Sequence, residues 1–173
     1  MHALADAYDV RIIGGDTNVW DGPVIVSVTL LGSATDQGPV LRSGARPGDW
    51  LMVTGPLGGS LSGRHLDVRP RVREALRLHA GFNLQAMLDI SDGLSRDVRH
   101  ITVEQGVGAI IDAPAVPIHA DVPAALPAST RLSHALHDGE DFELLFAISP
   151  QEGARLSQSA SSLGLPNLAR SAN

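Results

Sequence analysis

The sequence predicts an α/β fold: a mixed sheet flanked by helices. Three observations carry that expectation. From Trp50 onward the chain runs strand, glycine loop, helix. Two segments, Pro23 to Leu31 and Phe142 to Ile148, place apolar residues at every second position, the period of a strand. Helices and strands interleave without a strict βαβ rhythm, which points to mixed rather than all-parallel pairing. Hydrophobic residues make up 43% of the 173 residues but aromatics only 3%, so the core must be built from Leu, Val, Ile and Ala.

Taken in order, Ala3 to Tyr8 reads as two helical turns, too short to be stable alone. A short strand around Ile12-Ile13, the turn Gly14-Gly15-Asp16-Thr17 and the alternating strand Pro23–Leu31 follow. Residues 32–48 are rich in glycine, proline and polar residues and read as a connection, with Arg42 and the turn Arg46-Pro47-Gly48-Asp49 within it. Trp50–Val53 is an apolar strand leading into Gly55-Pro56-Leu57-Gly58-Gly59-Ser60. Pro70 suits the first turn of a helix carrying Val72, Ala75, Leu76 and His79, and Gly81 suits its end. A strand over 87–90, a helix over 94–101 starting near Ser91 or Asp92, and a strand over 107–111 come next. Four prolines between Ala113 and Thr130 mark a loop-rich stretch. Phe142, Leu144, Phe146 and Ile148 form the last strand, before a helix from about Gln151 to Leu163 that stops at Gly164.

Composition removes several chemistries. All 13 basic residues are arginine, so no Walker-type lysine, Schiff-base lysine or lysine base exists. Cysteine is absent, which excludes disulfides, thiolate catalysis and Cys-ligated zinc. The net charge of −6 and the lack of an arginine run interleaved with aromatics argue against nucleic-acid binding. No apolar run approaches the ~18 residues of a membrane span, and the N-terminus lacks a signal pattern. A cytoplasmic protein is expected.

The chemistry concentrates in Asp89-Ile90-Ser91-Asp92-Gly93-Leu94. Two carboxylates and a hydroxyl at a strand-to-helix junction suit a metal-bridged phosphate: carboxylates hold Mg²⁺, and helix-start N–H groups face phosphate oxygens. Ser91 or Asp92 as an ordinary N-cap is the alternative. Asp16 would sit at a strand end beside two glycines, a second acidic site or a plain turn. The Gly55–Ser60 loop looks phosphate-cradling, yet no Gly-Lys-Ser/Thr follows it. For Asp138-Gly139-Glu140-Asp141-Phe142-Glu143, a solvated turn is preferred over a substrate or metal site, with Glu143 pointing away from Phe142 and Leu144.

These motifs, together with Arg69-Pro70-Arg71-Val72, come in the order and spacing of thiamine-monophosphate kinase, of the aminoimidazole ribonucleotide synthetase and selenophosphate synthetase superfamily. The chain resembles that family over about residues 1–165. The resemblance implies ATP-dependent phosphorylation of thiamine monophosphate to thiamine diphosphate, with Mg²⁺ bridging the phosphates. It makes Asp16, Asp89 and Asp92 metal ligands, places Gly15, Asp16, Ser91 and Arg42 on the nucleotide, and puts Glu140 on the thiamine side. It further implies a homodimer and an organisation in which 1–32 are the remnant of an N-terminal ATP- and metal-binding domain. Residues 33–49 are then a linker, 50–165 the C-terminal α/β domain and 166–173 a tail. Family members carry a preceding Gly-Asp-Asp segment and a longer C-terminal end. A shortened form with impaired activity is therefore expected, or alternatively a non-catalytic nucleotide-binding module.

Overall fold

The structure, a computed structural model, describes residues 1–161 and 169–171. The chain divides into two units, Met1–Pro39 and Val40 onward.

In the first unit one helix forms, α1 (His2–Ala7). The strands expected at Ile12-Ile13 and Pro23–Leu31 do not form, and Val24, Val26, Val28 and Leu30 are exposed. Alternation supplies a face, but a strand is stabilised by a hydrogen-bonded neighbour, and no described segment pairs with this one.

The second unit is built on four strands: β1 (Trp50–Val53), β2 (Leu84–Asp89), β3 (Leu144–Ile148) and β4 (Ala169–Ser171). Their order is β2-β3-β1-β4. The α/β class holds, but these strands pair antiparallel throughout; among the described residues the parallel component expected of a mixed sheet is one isolated bridge between Leu57 and Ile118. Register is set by Met52 opposite Phe146 and Met87 opposite Phe146. Residues 169–171, expected as a tail, add an edge strand. Ala-Arg-Ser has no strand pattern of its own, so its pairing comes from the edge that β1 offers.

Helices cover both faces of this sheet. On one side Val53, Ala86, Leu145 and Ala147 pack with Leu94, Val98 and Ile101 of α3 (Leu94–Gln105) and Ala135 of α4 (Ala128–His137). On the other, Met52, Phe146 and Ile148 pack with Leu78 of α2 (Val72–Gly81) and Leu156 of α5 (Pro150–Ser159). Burial on both sides explains why β3 reads Leu-Leu-Phe-Ala-Ile without a polar residue. Within α5, Gly153 makes room for Trp50: a Cβ there would sit 2.5 Å from the indole.

Several boundaries move. Pro70 lies two residues ahead of α2, whose N-cap is Arg71. Helix α3 starts at Leu94, with Gly93 in a conformation (φ 97°) that a side chain disfavours, so neither Ser91 nor Asp92 is its N-cap. The strand expected over 107–111 does not form: Gly106 closes α3 in the left-handed region, and among the described residues the four strands of the sheet do not include that segment. Helix α4 was not anticipated; four prolines ahead of it hid its start, which sits directly after Pro127. Helix α5 ends at Ser159, and the expected stop at Gly164 lies outside the described residues. The end of the connecting segment is part of the second unit, since Ala45 is buried and the Met87 amide donates to the Leu41 carbonyl (2.9 Å).

Candidate functional site

Strand β2 ends at Asp89, and the backbone of the next two residues stays hydrogen-bonded to the segment that precedes β3. The Ile90 amide donates to the Glu143 carbonyl, the Phe142 amide to the Ile90 carbonyl and the Glu140 amide to the Ser91 carbonyl, each at 2.8 Å. The loop between 139 and 142 takes an uncommon path: Gly139, Glu140 and Phe142 all have positive φ (69°, 56° and 50°). For the two non-glycine residues this costs roughly 1–2 kcal/mol each, so surrounding contacts must hold the loop in place.

Those contacts are made largely by carboxylates, of which Asp141 and Glu143 are buried. Asp141 accepts from the Gly58 amide with both oxygens (3.0 Å each) and pairs with the Arg64 guanidinium at 2.9 Å. Asp138 accepts from the Gly59 amide at 2.7 Å, and Ser60 Oγ donates to the Gly139 carbonyl. Glu143, 2% exposed, accepts from Thr54 Oγ1 at 2.6 Å and from Arg71 Nε at 2.9 Å, and a second guanidinium nitrogen of Arg71 reaches its other oxygen. Burial pushes the Asp141 carboxyl up from its ordinary value, against the opposing pull of the Gly58 amide and Arg64. The hydrogen bond to Glu143 raises the Arg71 guanidinium, outweighing its own burial.

Two expectations are thereby corrected. The 138–143 cluster is not a solvated turn: Asp141 and Glu143 point inward, because arginines and amides on other elements wait for them. The Gly55–Ser60 loop does not present its Gly58 and Gly59 amides to a phosphate, since carboxylates of this same chain already occupy them. Its glycines are needed for close packing instead. A Cβ on Gly58 would lie 2.8 Å from the Ala135 nitrogen, and one on Gly55 2.5 Å from Glu143.

Asp97 is a further residue missed from sequence. It falls in the inward stripe of α3 with Leu94, Val98 and Ile101, is 2% exposed, and accepts from the Asp92 amide at 3.0 Å. A carboxylate at a core-facing helical position was the available signal. Burial pushes its carboxyl up, the backbone hydrogen bond from Asp92 pulls it down, and the Asp92 charge raises it again.

The residues singled out from sequence behave differently from these. Asp89, Asp92 and Glu140 are exposed, and among the described residues their carboxylates have no hydrogen-bond or ionic partner. Ser91 is half-buried and tied to Glu140 through the backbone. Arg42 is exposed and lies 4.0 Å from Glu104. Asp16 and Gly15 belong to the first unit, where Asp16 accepts from Thr17 and Asn18. Among the described residues no three Asp, Glu or His side chains gather as metal ligands. Within the second unit the structure thus sorts the carboxylates in and around the motifs: Asp97, Asp138, Asp141 and Glu143 hold the scaffold, and Asp89, Asp92 and Glu140 are left free.

No family model matches the chain. A curated thiamine-monophosphate kinase of Rhodopirellula baltica is 46% identical over 152 residues, covering 87% of this chain and 48% of that protein. The crystal structure of thiamine-monophosphate kinase from Stenotrophomonas maltophilia K279a aligns with a TM-score of 0.68 at 31% identity, over 80% of this chain and 50% of its own. The chain is a relative of the thiamine-monophosphate kinases. The resemblance read from the motifs is thus borne out, and the fold is the one these kinases share. "AaThiL complexed with AMPPCP and TMP" has the same fold, with a TM-score of 0.56 at 24% identity over 78% of this chain and 47% of its own. The chain spans about half the length of the curated thiamine-monophosphate kinases it matches. Among the described residues no helix is long and apolar enough to cross a membrane.

Proposed function

We propose that this protein acts in the ATP-dependent phosphorylation of thiamine monophosphate to thiamine diphosphate. In that reaction the bond between the γ-phosphorus and its bridging oxygen breaks, ADP leaves, and a phosphate oxygen of thiamine monophosphate takes the phosphoryl group. The observation that carries the reading is the sorting of carboxylates: Asp89 at the end of β2 and Asp92 just beyond it stand exposed and unpaired, as does Glu140, while Asp97, Asp138, Asp141 and Glu143 around them are engaged. The identity to thiamine-monophosphate kinase extends over 87% of the chain, which supports the same choice of substrates.

Exposed carboxylate oxygens suit a hard cation that keeps part of its water shell, so Asp89 and Asp92 fit Mg²⁺ as donors. Asp16, in the first unit, is separately proposed as a metal ligand on the strength of its own Gly-Gly-Asp-Thr motif. Bound Mg²⁺ would supply neutralisation of phosphate charge, the main requirement of phosphoryl transfer in a chain without lysine. Ser91 and Gly15 are proposed against the nucleotide, Arg42 near its phosphates and Glu140 towards thiamine. The arginines with strong carboxylate partners, Arg64 and Arg71, are committed to the scaffold and are not proposed to touch substrate. A cytoplasmic homodimer completes the proposal, supported by the absence of cysteine and by the exposed apolar residues between Val24 and Leu31.

A second reading, nucleotide binding without turnover, is favoured by one observation: no three-carboxylate or histidine ligand group forms among the described residues. One assay separates the two. Thiamine monophosphate and Mg²⁺-ATP are incubated with the protein, and thiamine diphosphate and ADP are quantified. Equimolar formation of both supports the kinase. Mg²⁺-ATP binding without product supports the second reading, and no binding at all removes both.

A further inference from the structure

The Asp92 amide is fixed by a residue that no motif includes. Helix α3 has no side-chain cap at Gly93; instead the Asp97 carboxylate reaches back past the helix start to the Asp92 amide at 3.0 Å. A capping box works similarly, with an acidic side chain in the first turn satisfying an amide just outside it. Asp97 is 2% exposed, and among the described residues no ion pair reaches it, His100 acting on its charge only at longer range. A buried carboxylate without a direct ion pair is unfavourable, and its neighbours on the stripe, Leu94, Val98 and Ile101, show that an apolar residue would suit the position for packing alone. The turn is constrained from its other side too, since a Cβ on Gly93 would meet the His137 carbonyl carbon at 3.0 Å and one on Gly139 the Ser91 oxygen at 2.7 Å.

We propose that Asp97 is a positioning residue: its buried carboxylate holds the Asp92 amide, and so fixes the turn that carries the free Asp92 carboxylate beside Asp89 at the end of β2. It does not itself touch substrate. For its functional consequence the inference rests on the assignment of Asp89 and Asp92 to Mg²⁺-ATP; the structural part stands on the hydrogen bond.

The test uses Asp97→Asn, which keeps an acceptor, Asp97→Ala, and Asp97→Leu, which restores the apolar stripe so that folding is preserved. Amide hydrogen exchange is followed at Asp92 and, as an internal reference, at Ile101, and Mg²⁺-ATP affinity is measured by calorimetry. Loss of one hydrogen bond to a charged acceptor should speed exchange at Asp92 about tenfold or more in the Leu and Ala variants. Ile101 should be unchanged in Asp97→Leu, and Asp97→Asn should stay near the native rate. Mg²⁺-ATP affinity should fall by about the same factor in Asp97→Leu and recover in Asp97→Asn. Native-like exchange at Asp92 in Asp97→Leu overturns the proposal. So does native-like Mg²⁺-ATP affinity in Asp97→Leu when Asp92→Asn weakens it. Should the native protein bind no Mg²⁺-ATP, the nucleotide assignment fails, and the exchange comparison alone decides whether Asp97 holds the turn.

Discussion

Asp141 and Arg64 are 77 residues apart in sequence, yet their side chains meet at 2.9 Å, and that contact joins the glycine loop after β1 to the acidic loop before β3. Arg64 also donates to the Gly58 carbonyl and to Asp121, so one guanidinium ties three loops together. Removing it strands a buried carboxylate with only the Gly58 amide for company. Arg64→Met is expected to cost about 3 kcal/mol, the range for breaking one side of a buried ion pair. Urea unfolding of the native protein and the variant measures it; a loss well under 1 kcal/mol would show that the pair is solvated.

The raised Asp141 carboxyl gives that loop a pH signature. A carboxyl whose folded pKa exceeds its unfolded value binds protons more tightly when folded. Its contribution to stability is therefore present at low pH and lost as pH rises from the ordinary value of 3.8 through the raised folded one. Asp141→Asn removes this dependence. The stability of the native protein relative to the Asn variant should fall as pH rises from about 4 upward, read from unfolding free energies at a series of pH values. Native stability that instead rises relative to the Asn variant with increasing pH would mean that Arg64 and the Gly58 amide outweigh burial.

Gly139 and Gly106 have nearly the same backbone (φ 69° and 63°) but different surroundings. A Cβ on Gly139 would lie 2.7 Å from the Ser91 oxygen, whereas nothing lies within 4 Å of one on Gly106. Gly106→Ala should cost only the left-handed penalty of about 1–2 kcal/mol. Gly139→Ala should cost clearly more and loosen the contact between the 89–92 turn and the 139–142 loop. Thermal unfolding of the two variants side by side isolates the steric part, and equal losses would show that the loops part easily.

Arg71, Thr54 and Glu143 link α2, the end of β1 and the start of β3. Arg71→Ala is expected to destabilise by about 3–5 kcal/mol, and Glu143→Gln by less, because an amide still accepts from Thr54. A double-mutant cycle between positions 71 and 143 should give a coupling well above that of an exposed pair, which is about 0.2–1 kcal/mol. Coupling within that surface range would show that the pair is screened.

Asp89→Asn and Asp92→Asn should leave the melting temperature within about 2 °C of native, since surface changes away from packed features stay within ~0.5 kcal/mol. Both should weaken Mg²⁺-ATP binding, because the negative oxygens a divalent cation needs become neutral amides. Calorimetry with Mg²⁺-ATP checks this, and binding equal to native in both variants would take the turn out of the site.

The sequence by itself determined the α/β class, β1, β2, β3, the body of α2, α3 and α5, and the kinship carried by five motifs in order. Those features are local: apolar period, glycine at a helix end, and a motif is a string. It also identified Asp89 and Asp92 as the carboxylates to watch at the end of β2. Only the tertiary structure decided which acidic residues are available and which are consumed. Asp141 and Glu143 flank Phe142 and look like surface charges, yet arginines from residues 64 and 71 draw them inward. The glycine loop looks open to phosphate, yet Asp138 and Asp141 fill its amides from some 80 residues away. Likewise Val24–Leu31 has the pattern of a strand, but a pattern specifies only a face. The ladder that makes it a strand depends on a partner in space, and pairing across such distances is not written in local period.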